Sequence, residues 1–252
     1  MRALILAGGK GSRLRPFTFT IPKPLVPIGE MPVLEILIRQ LKGQGFERIT
    51  ISVGHLAGLI RAFCGDGSQW GIPIDYVYED QPLGTIGCLA LLDDLRETDR
   101  VLSDRVLPDR ILSDRILVIN GDTLTDMSMA EAYAAHDGAD AITICANRRS
   151  VGIDFGVLET DGEGYLSTYT EKPTLHYKVS MGVNVVSAWA VGAYISRGER
   201  LDLPGLVEKF LAAGQRVRVR EVEAYWLDLG RMQDLEEGER VFRANPRRFL
   251  PE

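Results

Sequence analysis

Ala3-Leu4-Ile5-Leu6-Ala7-Gly8-Gly9-Lys10-Gly11-Ser12-Arg13-Leu14-Arg15-Pro16, with Pro22-Lys23-Pro24 close behind, is the stretch that decides the fold. The apolar run Ala3–Leu6 reads as a buried strand, and the glycine-rich turn after it exposes backbone N–H groups that can wrap a polyphosphate. Arg13 adds a planar fork for phosphate oxygens and Lys23 a movable point charge. The spacing excludes two better-known phosphate loops. A dinucleotide fingerprint needs a small residue three positions after Gly11, where Leu14 stands, and a Walker loop needs Gly-Lys-Ser/Thr after a four-residue gap, where Gly11-Ser12-Arg13 continues the turn.

Outward from this loop, strand and helix signals alternate. Apolar runs at Ala3–Leu6, Ile49–Val53, Ile74–Glu79, Ile116–Asn120 and Ala141–Cys145 predict strands. Helical patterns fall at Val33–Gln44, Leu56–Phe63, Ile86–Leu95 and Met129–His136. This order implies an α/β fold, a Rossmann-like and mostly parallel sheet flanked by helices, whose phosphate ligands bind at the carboxyl ends of the strands. Further on, Gly156–Thr160, Tyr165–Glu171, Ser180–Val186 and Arg216–Val222 read as strands of a smaller mixed β extension forming the second wall of the cleft, with Asp161-Gly162-Glu163-Gly164 as a hairpin turn. Met232–Ala244 reads as an amphipathic helix. Residues 99–115 carry a five-residue Asp-Arg repeat whose period suits neither helix nor strand, so they read as a surface loop insertion.

The 252 residues suit a single domain, 45% apolar and 25% charged like ordinary globular chains. A net charge of −6 argues against a general nucleic-acid binder. No apolar run of about 18 residues and no leader pattern occurs, so no membrane contact and a cytoplasmic setting are expected. Cys64, Cys88 and Cys145, with His55, His136 and His176, show no zinc spacing and read as packing or surface residues.

Two carboxylates stand out. Asp122 follows the strand Ile116–Asn120 and so lies at the sheet's carboxyl edge beside the glycine loop, where a hard oxygen donor can hold Mg²⁺. Asp228 is the single charge in Tyr225-Trp226-Leu227-Asp228-Leu229-Gly230 and needs a partner; a metal and a helix start fit it equally on sequence alone. Asp126 reads as a helix N-cap.

Together these segments resemble the sugar-1-phosphate nucleotidyltransferases, whose usual pattern is a Gly-Gly-x-Gly-Thr/Ser-Arg-Leu loop followed by Pro-Lys-Pro. The resemblance runs from Met1 to about Arg240. It implies a nucleoside triphosphate and a sugar 1-phosphate as substrates, and one nucleotidyltransferase domain divided into a nucleotide-binding half (1–150), a sugar-phosphate-binding half (151–230) and a C-terminal helix and tail (231–252). Within that pattern Arg13, Lys23 and Lys172 are the expected catalytic cations, and Asp122 and Asp228 the expected Mg²⁺ ligands. Leu6, Ala7, Gly8, Gly9, Gly11 and Ser12 are expected to hold the phosphates. The segment Glu79-Asp80-Gln81-Pro82-Leu83-Gly84-Thr85 is expected to face the base, with Gly84 and Thr85 close to it and Glu79 or Gln81 reading its edge. Gly156, Glu171, Lys172 and Asn184 are expected at the sugar phosphate, although Ser180-Met181-Gly182 departs from the family's Asn-Ala-Gly there. The segments look closest to mannose- or heptose-1-phosphate guanylyltransferases, with thymidylyl, uridylyl and cytidylyl transfer open. A homodimer is compatible with the sequence. A non-catalytic nucleotide-sugar sensor is the rival reading, and it predicts loss of a phosphate or metal residue.

Overall fold

The computed structural model describes residues 1–92, Leu95 and residues 114–250. Apart from Asp114 and Arg115, the pentad repeat lies outside the described residues. In chain order the elements are β1 (Arg2–Ala7), β2 (Pro27–Ile28), β3 (Met31–Pro32), α1 (Val33–Gly43), β4 (Arg48–Val53), α2 (Ala57–Cys64), β5 (Ile74–Tyr78), β6 (Arg115–Asn120), β7 (Thr123–Thr125), α3 (Met129–Ala134) and β8 (Ile142–Gly152). There follow β9 (Val157–Thr160), β10 (Leu166–Thr170), β11 (Thr174–Ser187), α4 (Ala188–Tyr194), α5 (Leu203–Ala212), β12 (Val217–Glu221), β13 (Trp226–Asp228) and α6 (Met232–Ala244).

Seven strands form the central sheet in the order β12-β8-β11-β6-β1-β4-β5. All its pairings are parallel except those of β11, which runs antiparallel to both β6 and β8. The sheet is buried on both faces, which is why its strands read as unbroken apolar runs. Along β1, Ala3, Ile5 and Ala7 pack into the core beneath α1, α2 and α6, while Leu4 packs with the residues of α4 and α5 on the other face. The amphipathic α1 buries Leu34, Leu37 and Leu41 completely, each side chain contributing roughly 1.5–3 kcal/mol.

The second half differs from the sequence reading. The strands expected over Ser180–Val186 and Arg216–Val222 join the central sheet instead of building a separate wall, because Val183, Val185 and Val186 are fully buried in its two cores. Both β8 and β11 also run beyond the core. Their outer halves pair as a two-stranded arm, Arg148 to Gly152 against Thr174 to Lys178, which leads to the β9–β10 hairpin. Asp161 closes that hairpin as expected, its N–H and that of Gly164 completing the turn. The segment expected as a helix over Ile86–Leu95 is a 3-10 turn at Gly87–Leu91. Its opening N–H groups, on Ile86 and Gly87, both reach across to Leu201 O at 3.1 Å, so the chain is tied to another segment where an α-turn would begin. Asp126 is not an N-cap. Its carboxylate accepts Tyr225 N–H at 2.8 Å and pairs with Arg248, while Ser128 caps α3 through Glu131 N–H at 3.2 Å.

Candidate active site

The chain leaves β1 at the carboxyl edge of the sheet and enters the glycine loop. Leu14 N–H is bound by Gly11 O at 3.0 Å, and Thr18 Oγ1 donates to Gly11 O at 2.8 Å. Among the described residues, the N–H groups of Gly9, Lys10, Gly11 and Ser12 donate to no backbone carbonyl, which leaves them available to an anion. The loop returns through Pro22-Lys23-Pro24, which carries the Lys23 ammonium back beneath it, only 12% of that side chain remaining exposed.

The two carboxylates arrive from neighbouring strands. β13 pairs antiparallel with β7, placing Asp228 opposite Thr123, and Leu229 N–H donates to Asp122 O at 3.0 Å. Lys23 Nζ bonds Asp122 Oδ2 and lies 3.7 Å from Asp228 Oδ1. Arg13 stands 4.0 Å from Asp228 Oδ2. Its guanidinium rests on Gly230, where a β-carbon would meet Nη1 at 3.1 Å. Burial raises the Asp228 pKa above the ordinary carboxylate value and the Asp122 charge adds to this, against the opposing pull of Lys23 and Arg13. Two hard-oxygen donors thus converge on a point that a cation already neutralises, and this donor set fits Mg²⁺. The described residues hold no cluster of three or more acidic, histidine or cysteine ligands, so any such ion would complete its shell with other oxygens.

These groups line one open cavity of about 440 Å³. It brings together Leu6, Ala7, Gly8, Gly9, Gly11, Ser12, Arg13, Lys23, Glu79, Gly84, Thr85, Asp122 and Asp228 of the expected site. Glu79 is already engaged by its own chain, accepting Ser52 Oγ–H at 2.6 Å and Leu83 N–H at 2.9 Å. Gln81 is exposed and does not line the cavity. Asn184 lies in an adjoining cavity of about 220 Å³ that shares Leu6, Thr85 and Asn120 with the first. Its Oδ1 is buried without a hydrogen-bond partner.

Gly156, Glu171 and Lys172 line neither cavity; they belong to the exposed β9–β10 hairpin. There Tyr169 donates its hydroxyl to Glu171 Oε2 at 2.9 Å against Gly156. Lys172 has φ +44°, a left-handed backbone rare for a residue with a side chain. Sequence reading missed Asp202, Asn120 and Gly230, which also line the larger cavity. Asp202-Leu203-Pro204 carries the signal of a helix start, an aspartate followed by an early proline, which could have revealed α5.

The nucleotidyl transferase family model matches residues 2–244. The UTP–glucose-1-phosphate uridylyltransferase of Synechocystis is 31% identical over 93% of this chain and 61% of its own length. The mannose-1-phosphate guanylyltransferase of Mycobacterium tuberculosis is 31% identical over 94% of this chain and 63% of its own length. The chain therefore spans somewhat less than two thirds of these curated relatives. The crystal structure of HddC from Yersinia pseudotuberculosis shares the fold, with a TM-score of 0.68 at 24% identity, covering 96% of this chain and 99% of that one.

Proposed function

The chain belongs to the nucleotidyl transferase family, and we propose that it transfers a nucleotidyl group from a nucleoside triphosphate to a sugar 1-phosphate, giving a nucleoside-diphosphate sugar and pyrophosphate. The observation that carries this reading is the convergence of the unpaired loop N–H groups, Arg13, Lys23, Asp122 and Asp228 on one cavity. No expected phosphate or metal residue is missing, as the sensor reading would require.

In the proposed reaction an oxygen of the sugar phosphate attacks the α-phosphorus as the bond to the bridging oxygen breaks and pyrophosphate leaves. The nucleophile is already an anion, so no strong base is needed; the task is to bring like charges together in line. The glycine loop would hold the triphosphate by its N–H groups, Arg13 would stabilise the departing pyrophosphate and Lys23 the α-phosphate. Asp122 and Asp228 would hold Mg²⁺, which would neutralise phosphate oxygens when bound. Lys172 would bind the incoming phosphate, with Glu171, Gly156 and Asn184 at the sugar. Neither cavity is lined by Gly156, Glu171 or Lys172, so their part in this reading rests on the resemblance of the Glu171-Lys172-Pro173 segment.

The finer reading is guanylyl transfer to a mannose- or heptose-type sugar 1-phosphate, supported by the Pro-Lys-Pro-Leu-Val-Pro and Pro-Leu-Gly-Thr segments and by the guanylyltransferase among the relatives. A cytoplasmic setting accords with the described residues, which contain no helix long and apolar enough to cross a membrane. A homodimer would suit the exposed hairpin, where Phe155 and Tyr165 are 77% and 70% exposed. The deciding experiment is pyrophosphate release from a matrix of nucleoside triphosphates against sugar 1-phosphates with Mg²⁺. Release from the GTP–mannose or GTP–heptose pairing is expected. Release only with UTP, dTTP or CTP would replace the base, and nucleotide-sugar binding without turnover would favour a sensor.

A further inference from the structure

We infer that Asp202, at the start of α5, is a positioning residue that fixes the base-facing loop Pro82–Thr85 and thereby sets affinity for the nucleotide. An aspartate at a helix start ordinarily accepts an N–H of its own first turn. Asp202 occupies the N-cap position of α5 but makes no such bond. Its Oδ1 instead accepts Thr85 N–H at 2.9 Å, across 117 residues of chain. The exchange is reciprocal, because Thr85 Oγ1 accepts Leu203 N–H at 2.9 Å and so caps the helix that Asp202 leaves uncapped.

Three backbone bonds extend this swap into a latch. Leu201 N–H donates to Leu83 O at 2.9 Å, and Ile86 and Gly87 N–H both donate to Leu201 O at 3.1 Å. The fit leaves no room for a side chain. A β-carbon on Gly84 would lie 2.6 Å from Leu201 O and 2.7 Å from Asp202 Oδ1, and Gly84 has φ +79°. The close approach that this glycine permits is therefore to the protein's own chain. Thr85 and Asp202 both line the cavity, and Thr85 and Leu203 line its neighbour, so the latch borders both.

The inference rests on the proposed nucleotide-binding role of the cavity. Its test compares Asp202→Ala with Asp202→Asn, which keeps the acceptor oxygen and removes the charge. Hydrogen exchange of the peptide covering residues 82–87 is measured without nucleotide, alongside equilibrium binding and turnover of each triphosphate. In Asp202→Ala, exchange is expected to quicken about fivefold and KM for the triphosphate to rise about fivefold, with kcat falling by less than about twofold. Asp202→Asn is expected to restore both values to within about twofold of wild type. Unaltered exchange in Asp202→Ala would overturn the inference whether or not the protein turns over, as would Asp202→Asn behaving like Asp202→Ala, which would mark a direct charge contact. If the wild type bound no triphosphate, the functional reading would fall instead, and the exchange data would still judge the latch.

Discussion

At the scale of single residues, the site is organised around charge that must be neutralised. Lys23 lies between two aspartates, and Arg13 reaches the outer one across Gly230. Removing one partner of a buried pair costs more than the pair contributes, because the remaining charge keeps its desolvation penalty. Lys23→Ala is therefore expected to destabilise the fold by about 1–3 kcal/mol, less than for a fully buried pair since Asp228 is half-exposed. Mg²⁺ should restore more of that loss than it adds to the wild type. Thermal melts with MgCl2 against NaCl of equal ionic strength check this, and equal Mg²⁺ effects in both proteins would argue against Asp122 and Asp228 as a cation-binding pair. Arg13 contributes little packing, with 61% of its side chain exposed, so Arg13→Ala should keep its melting point. Its kcat/KM should nevertheless fall about 10²–10³-fold, the effect of losing one donor to developing charge. Undiminished pyrophosphate release would remove Arg13 from the mechanism.

At the scale of elements, what the sequence disclosed follows burial. β1, β4, β5, β6 and α1 are read in place because both faces of the sheet, or a whole helical stripe, are covered and leave an apolar record. The outer half of β8, Arg148-Arg149-Ser150-Val151-Gly152, leaves none because its residues are exposed and no core covers them, so the strand reads as ending at Cys145. α5 goes unread because its first turn, Leu203-Pro204-Gly205, carries little apolar pattern before Leu206 and Phe210 anchor it, although Asp202 and Pro204 mark its start. The site followed the same rule in part: the glycine loop, Lys23, Asp122 and Asp228 come together at one cavity, the Glu171-Lys172 motif does not join them there, and Asp202 makes its contact 117 positions away. A buried histidine joins three elements in a similarly hidden way. His136, just past α3, has Nδ1 2.8 Å from Thr143 Oγ1 of β8 and Nε2 2.8 Å from Ser187 Oγ of β11. Burial, and then the Arg115 charge, pushes its pKa below the ordinary value of 6.5, against the smaller opposing pull of Asp140, Asp114 and Asp137. The unfolded chain thus binds this proton more readily than the fold does. The contribution to stability is whole above pH about 6.5 and lost as pH falls below it. Melting points between pH about 7.5 and 5.5 should drop more steeply in wild type than in His136→Gln; parallel slopes would show that the imidazole is not the titrating group.

At the scale of the whole molecule, the architecture separates the candidate site from a peripheral arm. The glycine loop, Asp122, Asp228 and the Asp202 latch all rest on the central sheet, whose two buried clusters include no residue from 154 to 172. The β9–β10 hairpin beyond them pairs only with itself, and every residue of β10 is exposed. A lone two-stranded hairpin is marginal in water, so its own contribution to global stability is small. Ile153 N–H donates to Pro173 O at 3.0 Å, so the chain ends flanking the hairpin are already adjacent and a short glycine-rich turn, which needs no N–H from Pro173, can join them. A chain with residues 154–172 replaced by that turn should melt within about 3 °C of wild type and bind triphosphate within about threefold of it. Without Gly156, Glu171 and Lys172, pyrophosphate release with sugar 1-phosphate should fall by more than about 100-fold, since the second anion is no longer positioned. Calorimetry, triphosphate titration and turnover on the same preparation separate these effects. Turnover that survives the replacement would move the sugar phosphate from the hairpin to the smaller cavity around Asn184, while a collapsed melting point would show that the arm is part of the folding unit.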